Sequence, residues 1–294
     1  MRWVLYRWIW QLRAPLHIGY TPAGALNRTR LYIPARNMWA AFTAEIARGQ
    51  AGSAFPNYED IGRELQEHAR FTYLFPAERV GDRWYAWLPR YEEGSGLCWH
   101  REDGPKEPDR RFRRRLLYTR PSTAIAPGSG AAEEGTLREV EYIATHWKPA
   151  QASRRDSSPV AFVGYMFLKN TVPQTLEDVL KDIREVFIGG ETRYGFGRLK
   201  LIPFAEQFPW EETHTCFGYK VLLAEREPQV NNPSYLMAHG SVTEAKGEWE
   251  ILFRWDWQTI QVENHPLWKP GSLIANEKSF VVRPDGLWQV LSSA

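Results

Sequence analysis

The sequence predicts an α+β protein built on a ferredoxin-like βαββαβ unit, a four-stranded antiparallel sheet with two helices on one face. Two patterns support this fold class. Residues 3–12 are mostly apolar and include apolar side chains at every second position, as in a largely buried strand, while residues 36–48 and 175–187 place apolar side chains at helical spacing. Strand patterns lie between and after these helices. The coarse order is strand, helix, strands, a long insertion, strands, helix, strand.

The first predicted strand is largely buried. Its apolar residues at alternate positions are Val4, Tyr6, Trp8, Trp10 and Leu12. A turn-rich loop over residues 14–35 separates it from the first helix.

Pro34 is placed to open that helix, which is predicted over residues 36–48 with Trp39, Phe42 and Ile46 on one side. A second helix is expected around residues 58–70. Residues 71–91 then predict two strands about a glycine turn.

Residues 92–136 interrupt this regular pattern. They are rich in Gly, Pro and charge and show little periodicity before Phe112, which predicts a long, partly mobile insertion. Strand patterns resume over residues 138–149 and 159–168.

The stretch 186–201, VFIGGETRYGFGRLKL, follows an amphipathic helix pattern that runs through Phe187 with Thr175 as N-cap. Gly189 and Gly190 are placed where a helix C-terminus accepts a left-handed residue, and a strand is expected from Phe196. The order helix, glycine loop, strand argues against a phosphate loop, because that motif precedes a helix N-terminus.

The side chains of this glycine loop are typical of nucleic-acid contacts. Arg193 and Arg198 are of the type that pairs with phosphates, and Tyr194 and Phe196 are of the type that stacks on bases. Two structural alternatives stay open: the glycines serve a turn only, and Phe196 is a core residue of a strand.

Beyond residue 203 the sequence predicts a second, β-rich lobe, so the expected domains are 1–203 and 204–294. Its most regular pattern is a long strand with apolar residues at alternate positions: Trp249, Ile251, Phe253, Trp255 and Trp257.

Composition limits the function classes. A net charge of +2 is too small for a generic polyanion binder, so nucleic-acid binding would depend on local patches. Cys98 and Cys216 are too few for a disulfide framework or a cysteine-based zinc site, which predicts a cytoplasmic protein. The arginines of the N-terminal segment argue against a signal peptide or membrane span.

Three stretches together resemble one family. APLHIGYTPAGALNRTRLYIPARNMWAAF is similar to its opening signature, STAIAPGSGAAEEGTLREVEYI to its middle signature, and IGGETRYGFGRLKL to its glycine-rich loop. The family is the repeat-associated mysterious proteins (RAMPs) of CRISPR systems, and the middle signature is most similar to type III effector subunits. The resemblance covers residues 3–203 and leaves the C-terminal third uncovered.

The resemblance implies a modified RNA-recognition-motif ferredoxin fold whose glycine loop holds the CRISPR RNA backbone. It also implies protein partners, namely other type III effector subunits including the large subunit, and contact with target RNA. The expected RNA-binding residues are Gly189, Gly190, Arg193, Tyr194, Gly195, Phe196, Gly197 and Arg198 in the loop, His17, Arg28, Arg30 and Arg36 nearer the N-terminus, and Arg111, Arg113, Arg114 and Arg115 in the insertion.

The sequence departs from the family at two points. Type III backbone subunits cleave target RNA with an aspartate in the first loop and a metal, whereas no acidic residue lies between Gly19 and Ala35. In the middle signature, Ala126 and Pro127 replace a frequent Asp-Arg pair. These departures predict a noncatalytic subunit with no cofactor and no metal site.

The predicted insertion contains a basic run. Between Lys106 and Arg120, seven basic and two acidic residues give a net charge of +5. Within the RAMP interpretation, this run is expected to contact RNA, with affinity dominated by counterion release. A solvated charged loop is the structural alternative.

Two other functions stay open. RAMP nucleases that process CRISPR RNA use a histidine without metal, and His17 or His146 could serve in that role. A structural subunit that binds only proteins, capping one end of the complex or forming its backbone, would instead expose an aromatic patch. The preferred hypothesis is a noncatalytic subunit at the end that holds the 5′ handle, beside the large subunit.

Overall fold

The computed structural model describes residues 2–149, 157–205, 209–255, 259–263, 265–276 and 279–291. The fold is α+β, and no helix among these residues is long and apolar enough to cross a membrane. The elements as far as residue 122 are β1 (Trp3–Leu12), β2 (Leu26–Asn27), α1 (Ala35–Ala51), α2 (Tyr58–His68), β3 (Ala69–Phe71), β4 (Phe75–Val80), β5 (Arg83–Glu92), β6 (Gly96–Arg101), β7 (Lys106–Pro108), α3 (Asp109–Leu116) and β8 (Leu117–Ser122).

The chain then forms β9 (Arg138–Ile143), β10 (Ala161–Lys169), α4 (Gln174–Asp182), β11 (Glu185–Phe187), β12 (Arg198–Ile202) and β13 (Glu211–Thr213). Within the described residues, a main sheet has the strand order β11-β12-β1-β10-β4-β5-β6-β7, with β13 beside β1 and β3 beside β10. Every pairing in it is antiparallel.

Strand β1 is central to this sheet because β10 lies along one edge and β12 and β13 share the other. On its helix-facing side, the rings of Trp8 and Trp10 contact Phe42 of α1, and Trp8 stacks on Phe71 at 5.7 Å. These four side chains are fully buried. Trp8 and Trp10 of the predicted alternation therefore hold α1 against the sheet. At the start of β1 the alternation is wrong, since Trp3 and Leu5 are buried and Val4 and Tyr6 are only half-buried.

The predicted second long helix is shorter than its periodicity indicated. Helix α4 begins at Gln174 after Pro173 rather than behind Thr175, and it ends at Asp182. Val186 and Phe187 belong to β11, where they pair with Leu199 and Arg198. Burial of Val186 in the sheet outweighs the local helical pattern. The glycine loop thus joins two strands, so Gly189 and Gly190 do not cap a helix.

The predicted insertion, residues 92–136, contains strands and a helix as far as Ser122. Strands β6 and β7 extend the main sheet beyond β5, and β8 forms a small separate sheet with β9 and β2. Helix α3 buries Phe112 and Arg115. Arg115 forms ion pairs of 2.7 Å with Glu78 and 2.8 Å with Glu107, which hold the basic helix to the main sheet.

The C-terminal part is built from strands in the described ranges beyond residue 213. They are β14 (Thr215–Cys216), β15 (Tyr219–Leu222), β16 (Gln229–Val230), β17 (Gly240–Ser241), β18 (Ala245–Lys246), β19 (Trp249–Glu250), β20 (Phe253–Trp255), β21 (Ile260–Val262), β22 (Leu267–Trp268), β23 (Leu273–Ile274), β24 (Phe280–Val282) and β25 (Trp288–Val290).

The long strand predicted over residues 249–257 is interrupted. Strands β19 and β20 belong to different sheets, and β20 pairs with β21 as a hairpin. Trp257 lies outside the described residues. The predicted boundary at residue 203 is crossed by the main sheet, because β13 pairs with residues 5–7 of β1.

A polar cluster joins the two parts of the chain. Arg30, in the loop before α1, forms an ion pair of 2.6 Å with Glu250. Glu250 also accepts a hydrogen bond from Nε2 of the buried His239, so in the neutral ring Nδ1 accepts from the hydroxyl of Tyr73, 2.6 Å away. We call Arg30, Tyr73, His239 and Glu250 the polar joint.

Burial lowers the pKa of His239. Burial raises the pKa of Glu250, but the hydrogen bonds from His239 and Arg30 outweigh this and hold it at about 2, below its ordinary value of 4.5. Since both pKa values are lowered by folding, protonation favours the unfolded state. The stabilisation of the folded state by the Glu250 carboxylate is fully present above pH 4.5 and is lost as the pH falls towards 2.

We expect Glu250→Gln to lower the free energy of unfolding at pH 7 by about 2–3 kcal/mol, because buried Arg30 loses its charged acceptor. The variant should also lose less stability than the wild type between pH 4.5 and pH 2. Urea denaturation at a series of pH values measures both effects. Glu59→Gln, which breaks an exposed pair with Arg63, is the matched control and should change stability by less than about 1 kcal/mol. Equal pH dependence in wild type and Glu250→Gln would contradict the role of Glu250.

Candidate nucleic-acid interface

The glycine loop, residues 188–197, packs backbone to backbone against the first loop. The amide of Gly190 donates to the carbonyl oxygen of His17 at 2.9 Å. The amide of Gly197 donates to the carbonyl oxygen of Pro15 at 2.7 Å. A Cβ on Gly189 would lie 2.3 Å from the His17 carbonyl oxygen. Only glycine allows the two loops to come this close.

His17 is a structural residue of this contact. Its imidazole is mostly buried, and Nδ1 lies 2.8 Å from the carbonyl oxygen of Glu141. Because a carbonyl can only accept, Nδ1 carries the proton. The other histidine considered for RNA processing, His146, is exposed and forms an isolated backbone bridge with Pro159. Its Nδ1 lies 3.1 Å from the Thr145 hydroxyl. Each histidine therefore has its own local contacts.

A cleft of about 460 Å³ opens between the glycine loop and the strands β8 and β9. Its wall includes the ring of Tyr194, which is 63% exposed, and Arg138, whose guanidinium lies 5.7 Å from the centre of that ring. Arg138 is also within 3.4 Å of the Glu191 carboxylate. Arg120 and Thr123 line the other side. The cleft thus combines an exposed aromatic ring with two guanidinium groups.

Phe196 supports this cleft from within. The residue is only 4% exposed, and its ring meets Tyr142 edge to face at 5.5 Å. Tyr142 in turn stacks on Tyr118, and the Lys148 ammonium lies 3.6 Å from the centre of the Tyr118 ring. The structural alternative for Phe196, a core residue, therefore describes its position, and Tyr194 is the aromatic residue of the loop that offers a free ring.

The cations predicted in the glycine loop differ in their surroundings. Arg193 is exposed, and it forms no ion pair with any residue that the structure describes. Arg198 is also exposed, but it pairs with Glu185 at 2.8 Å, and that hydrogen bond and charge raise its pKa. Arg193 is thus the guanidinium of this loop most available to a phosphate.

The cations near the first loop have mainly internal contacts. Arg30 belongs to the polar joint, and its guanidinium also lies 4.8 Å from the Tyr20 ring. Arg28 packs over the same ring at 5.5 Å, and Arg36 donates to the Phe253 carbonyl. The structure places Arg28 and Arg30 with Arg113 around a small cavity of about 130 Å³. Arg30 is thus mostly buried against Glu250 and Tyr20.

Helix α3 separates the predicted basic run into two sides. Arg115 is buried in its ion pairs, and Arg113 lies 3.4 Å from Glu141. Arg114 is exposed, and Arg111 is exposed with only a long contact of 3.9 Å to Glu107. Arg110 and Arg114 pair with no acidic residue in the described ranges. The exposed side of α3 therefore carries its available positive charge.

Sequence reasoning did not select Arg138 as a site residue. It lies in a strand pattern, REVEYI, with acidic residues on both sides, and no local signal distinguishes it from a solvated strand residue. Only the pairing of β8 with β9 and the position of the glycine loop bring it beside Tyr194. Arg120 lies in the basic run but was not among the selected residues, for the same reason.

No protein-family model and no curated protein matches the sequence. Solved structures do match. A chain of "Cryo-EM structure of the Type III-B Cmr-beta bound to cognate target RNA and AMPPnP, state 1" aligns over 93% of this chain and 86% of its own length, with a TM-score of 0.50 and 13% sequence identity. This likeness shows a similar fold.

Two further structures align over less of this chain. A chain of the Type III-B Cmr-beta bound to cognate target RNA gives a TM-score of 0.40 at 11% identity, covering 67% of this chain and 96% of its own. A chain of the Type III-B Cmr-beta apo state gives a TM-score of 0.42 at 12% identity, covering 69% of this chain and 98% of its own length. The structural neighbours are thus subunits of Type III-B Cmr-beta assemblies at low sequence identity.

We expect Gly197→Ala to loosen the glycine loop, because the new Cβ would lie 1.9 Å from the Ile188 carbonyl oxygen. Gly195→Ala is the matched control: its φ of +83° is almost that of Gly197, +82°, but its Cβ would meet no atom within 4 Å. Both variants bear the cost of a left-handed alanine, about 1–2 kcal/mol, and only Gly197→Ala adds the clash. Hydrogen exchange at the amides of residues 190 and 197 should therefore be faster in Gly197→Ala than in Gly195→Ala. Equal exchange in the two variants would contradict the close approach.

Proposed function

We propose that this chain is a noncatalytic CRISPR-RNA-binding subunit of a type III effector complex. The observation that carries the proposal is the cleft beside the glycine loop, where the exposed ring of Tyr194 lies with the guanidinium groups of Arg138 and Arg120. Arg193, exposed in the same loop, adds a cation next to Tyr194 in the sequence. An exposed aromatic ring beside arginines is what a single RNA strand needs, since bases stack on the ring and phosphates pair with the cations. The fold similarity to Type III-B Cmr-beta chains supports this setting.

The core is proposed to be the RAMP form of the ferredoxin-like fold. Strands β12, β1, β10 and β4 are neighbours in the main sheet, α1 follows β1, and α4 follows β10. This is the βαββαβ order with β5, β6 and β7 added at one edge. The glycine loop then connects β11, an added edge strand, to β12, the last strand of the unit.

The exposed side of α3 is proposed as a second contact with RNA. Arg110, Arg111 and Arg114 lie on it, while Arg113 and Arg115 hold the helix in place. Such a surface would bind a phosphate backbone without regard to sequence.

The position in the complex is proposed to be the end that holds the 5′ handle, beside the large subunit in the cytoplasm. The absence of any acidic side chain between Gly19 and Ala35 supports a subunit that does not cleave target RNA. The single glycine loop and the C-terminal strands support a terminal rather than a repeated subunit.

A second candidate is a structural end-capping subunit held by protein contacts alone. The observation that favours it is a row of exposed apolar side chains in the C-terminal part, including Trp249 and Phe253. RNA binding by the purified chain separates the two candidates.

We expect Arg193→Ala to weaken binding of the purified chain to CRISPR RNA of any sequence. It should reduce the slope of log K against log salt by about 0.7, the value for one phosphate contact on a single strand. Arg198→Ala should change the slope less, because Glu185 already neutralises that guanidinium. Arg63→Ala on α2, which breaks only an exposed helix pair, is the control. Filter binding at several salt concentrations provides the data, and an unchanged slope for Arg193→Ala would leave the loop a turn only.

Limited trypsin digestion should distinguish the two sides of α3. Cleavage after the exposed Arg110 and Arg114 should be slower in the RNA-bound complex than in the RNA-stripped complex, while the buried Arg115 resists in both. The isolated subunit gives the unprotected rate. Equal protection with and without RNA would assign this surface to a protein neighbour instead.

A further inference from the structure

The C-terminal part exposes several large apolar side chains between residues 249 and 262. They are between 47% and 66% exposed, namely Trp249, Ile251, Phe253, Ile260 and Val262. The first three occupy alternate positions, and β20 pairs Phe253 directly with Val262 of β21. Phe253, Ile260 and Val262 therefore share one face of the β20–β21 hairpin, and Trp249 and Ile251 precede Phe253 along the chain. We call these five residues the apolar strip.

Polar contacts hold the segment that carries the strip against the rest of the protein. Glu250, between two strip residues, is held in the polar joint, and the Phe253 carbonyl accepts from the guanidinium of Arg36. Leu252 accepts a backbone hydrogen bond from Glu263 at 2.9 Å. These contacts turn the polar side of the segment towards the protein, so the apolar side faces outward.

The size of the strip is that of a functional patch. Five large side chains about half exposed present on the order of 500 Å² of apolar surface. That lies in the range of about 300–600 Å² at which a contiguous patch on a monomer is often a binding site. A stable interface buries about 800 Å² on each partner, so the strip is large enough to form the centre of one.

The chemistry of the strip selects a protein as its occupant. None of the five side chains is charged, and the indole N–H of Trp249 is the sole hydrogen-bonding group among them. A nucleic-acid surface needs cations, so RNA is a poor match. In addition, β20 and β21 form a two-stranded sheet among the described residues, and such a hairpin has an edge at which a strand can pair.

We propose that the apolar strip is a docking surface for an uncharged, apolar strand or sheet face on another protein subunit of the same complex. This inference rests on the proposed function for the setting in which the partner occurs. It goes beyond that function because the surface is separate from the glycine loop and is formed by uncharged side chains. The strip thereby gives the chain a protein interface in addition to its RNA interface.

The test uses the full chain co-expressed with the other subunits of its effector complex. Phe253→Ser and Ile260→Ser should each reduce the fraction that co-elutes with the complex at least tenfold, as removal of a central apolar contact does. Phe55→Ser is the matched control, because Phe55 is 95% exposed and lies outside the strip. It should assemble as the wild type does. Thermal unfolding of each purified variant identifies any loss of folding, and Ile260→Ser provides the result if Phe253→Ser is unstable.

RNA binding by the isolated chain separates this inference from the proposed function. Unchanged RNA affinity with lost assembly supports the docking surface, whereas lost RNA affinity with normal assembly would make the strip an RNA contact. Normal assembly of both variants would overturn the inference. A wild-type homodimer that Phe253→Ser converts to a monomer would also overturn it, since the occupant would then be a second copy. If the wild type does not bind RNA but still needs the strip to assemble, the proposed function fails and the docking surface stands.

Discussion

The polar joint is the constraint on which the relation between the two parts of the chain depends. Arg30 and Glu250 come from segments 220 residues apart, and His239 and Tyr73 complete their hydrogen bonds. A buried carboxylate or guanidinium without a partner is strongly destabilising, so each group requires the others to be in place. The loop that contains Arg30 also contacts Glu141 through the amide of Thr29, and Glu141 binds His17. The C-terminal strands are therefore linked, contact by contact, to the first loop and from it to the glycine loop.

The arginines of this protein show why net charge is a weak guide to nucleic-acid binding. Arg30 and Arg115 lie within segments that look basic in the sequence, yet both are buried in ion pairs. Arg193 and Arg114 have similar sequence surroundings and are exposed. The difference arises from acidic residues that are distant along the chain, Glu250 and Glu78. Charge that is available for binding can thus be counted only after the fold has paired the rest.

Much of the fold follows from local patterns, and the failures have identifiable causes. The strand β1, the helix after Pro34 and the hairpin about Gly81 lie where the sequence predicts them, because propensity, patterning and packing agree there. The predicted helix through Phe187 failed because sheet pairing of Val186 outweighed its periodicity. The strands and helix over residues 96–122 were not predicted, because short strands such as β7 owe their conformation to a neighbouring strand. In the candidate site, Tyr194 and Arg193 could be named from residue type, but Arg138 could not, since strand pairing alone brings it there.

The eight-residue separation of Gly189 and Gly197 has a consequence for sequence divergence. Each position faces a carbonyl oxygen so closely that any side chain would collide with main chain, which cannot rotate away. Gly195 lies between them with the same backbone handedness and open space, so asparagine or aspartate could replace it there. Related sequences should therefore keep glycine at the first and third of these positions and vary at the second. A search pattern built on this spacing, together with a Pro-x-His-like first loop, would detect homologues that overall identity no longer reveals.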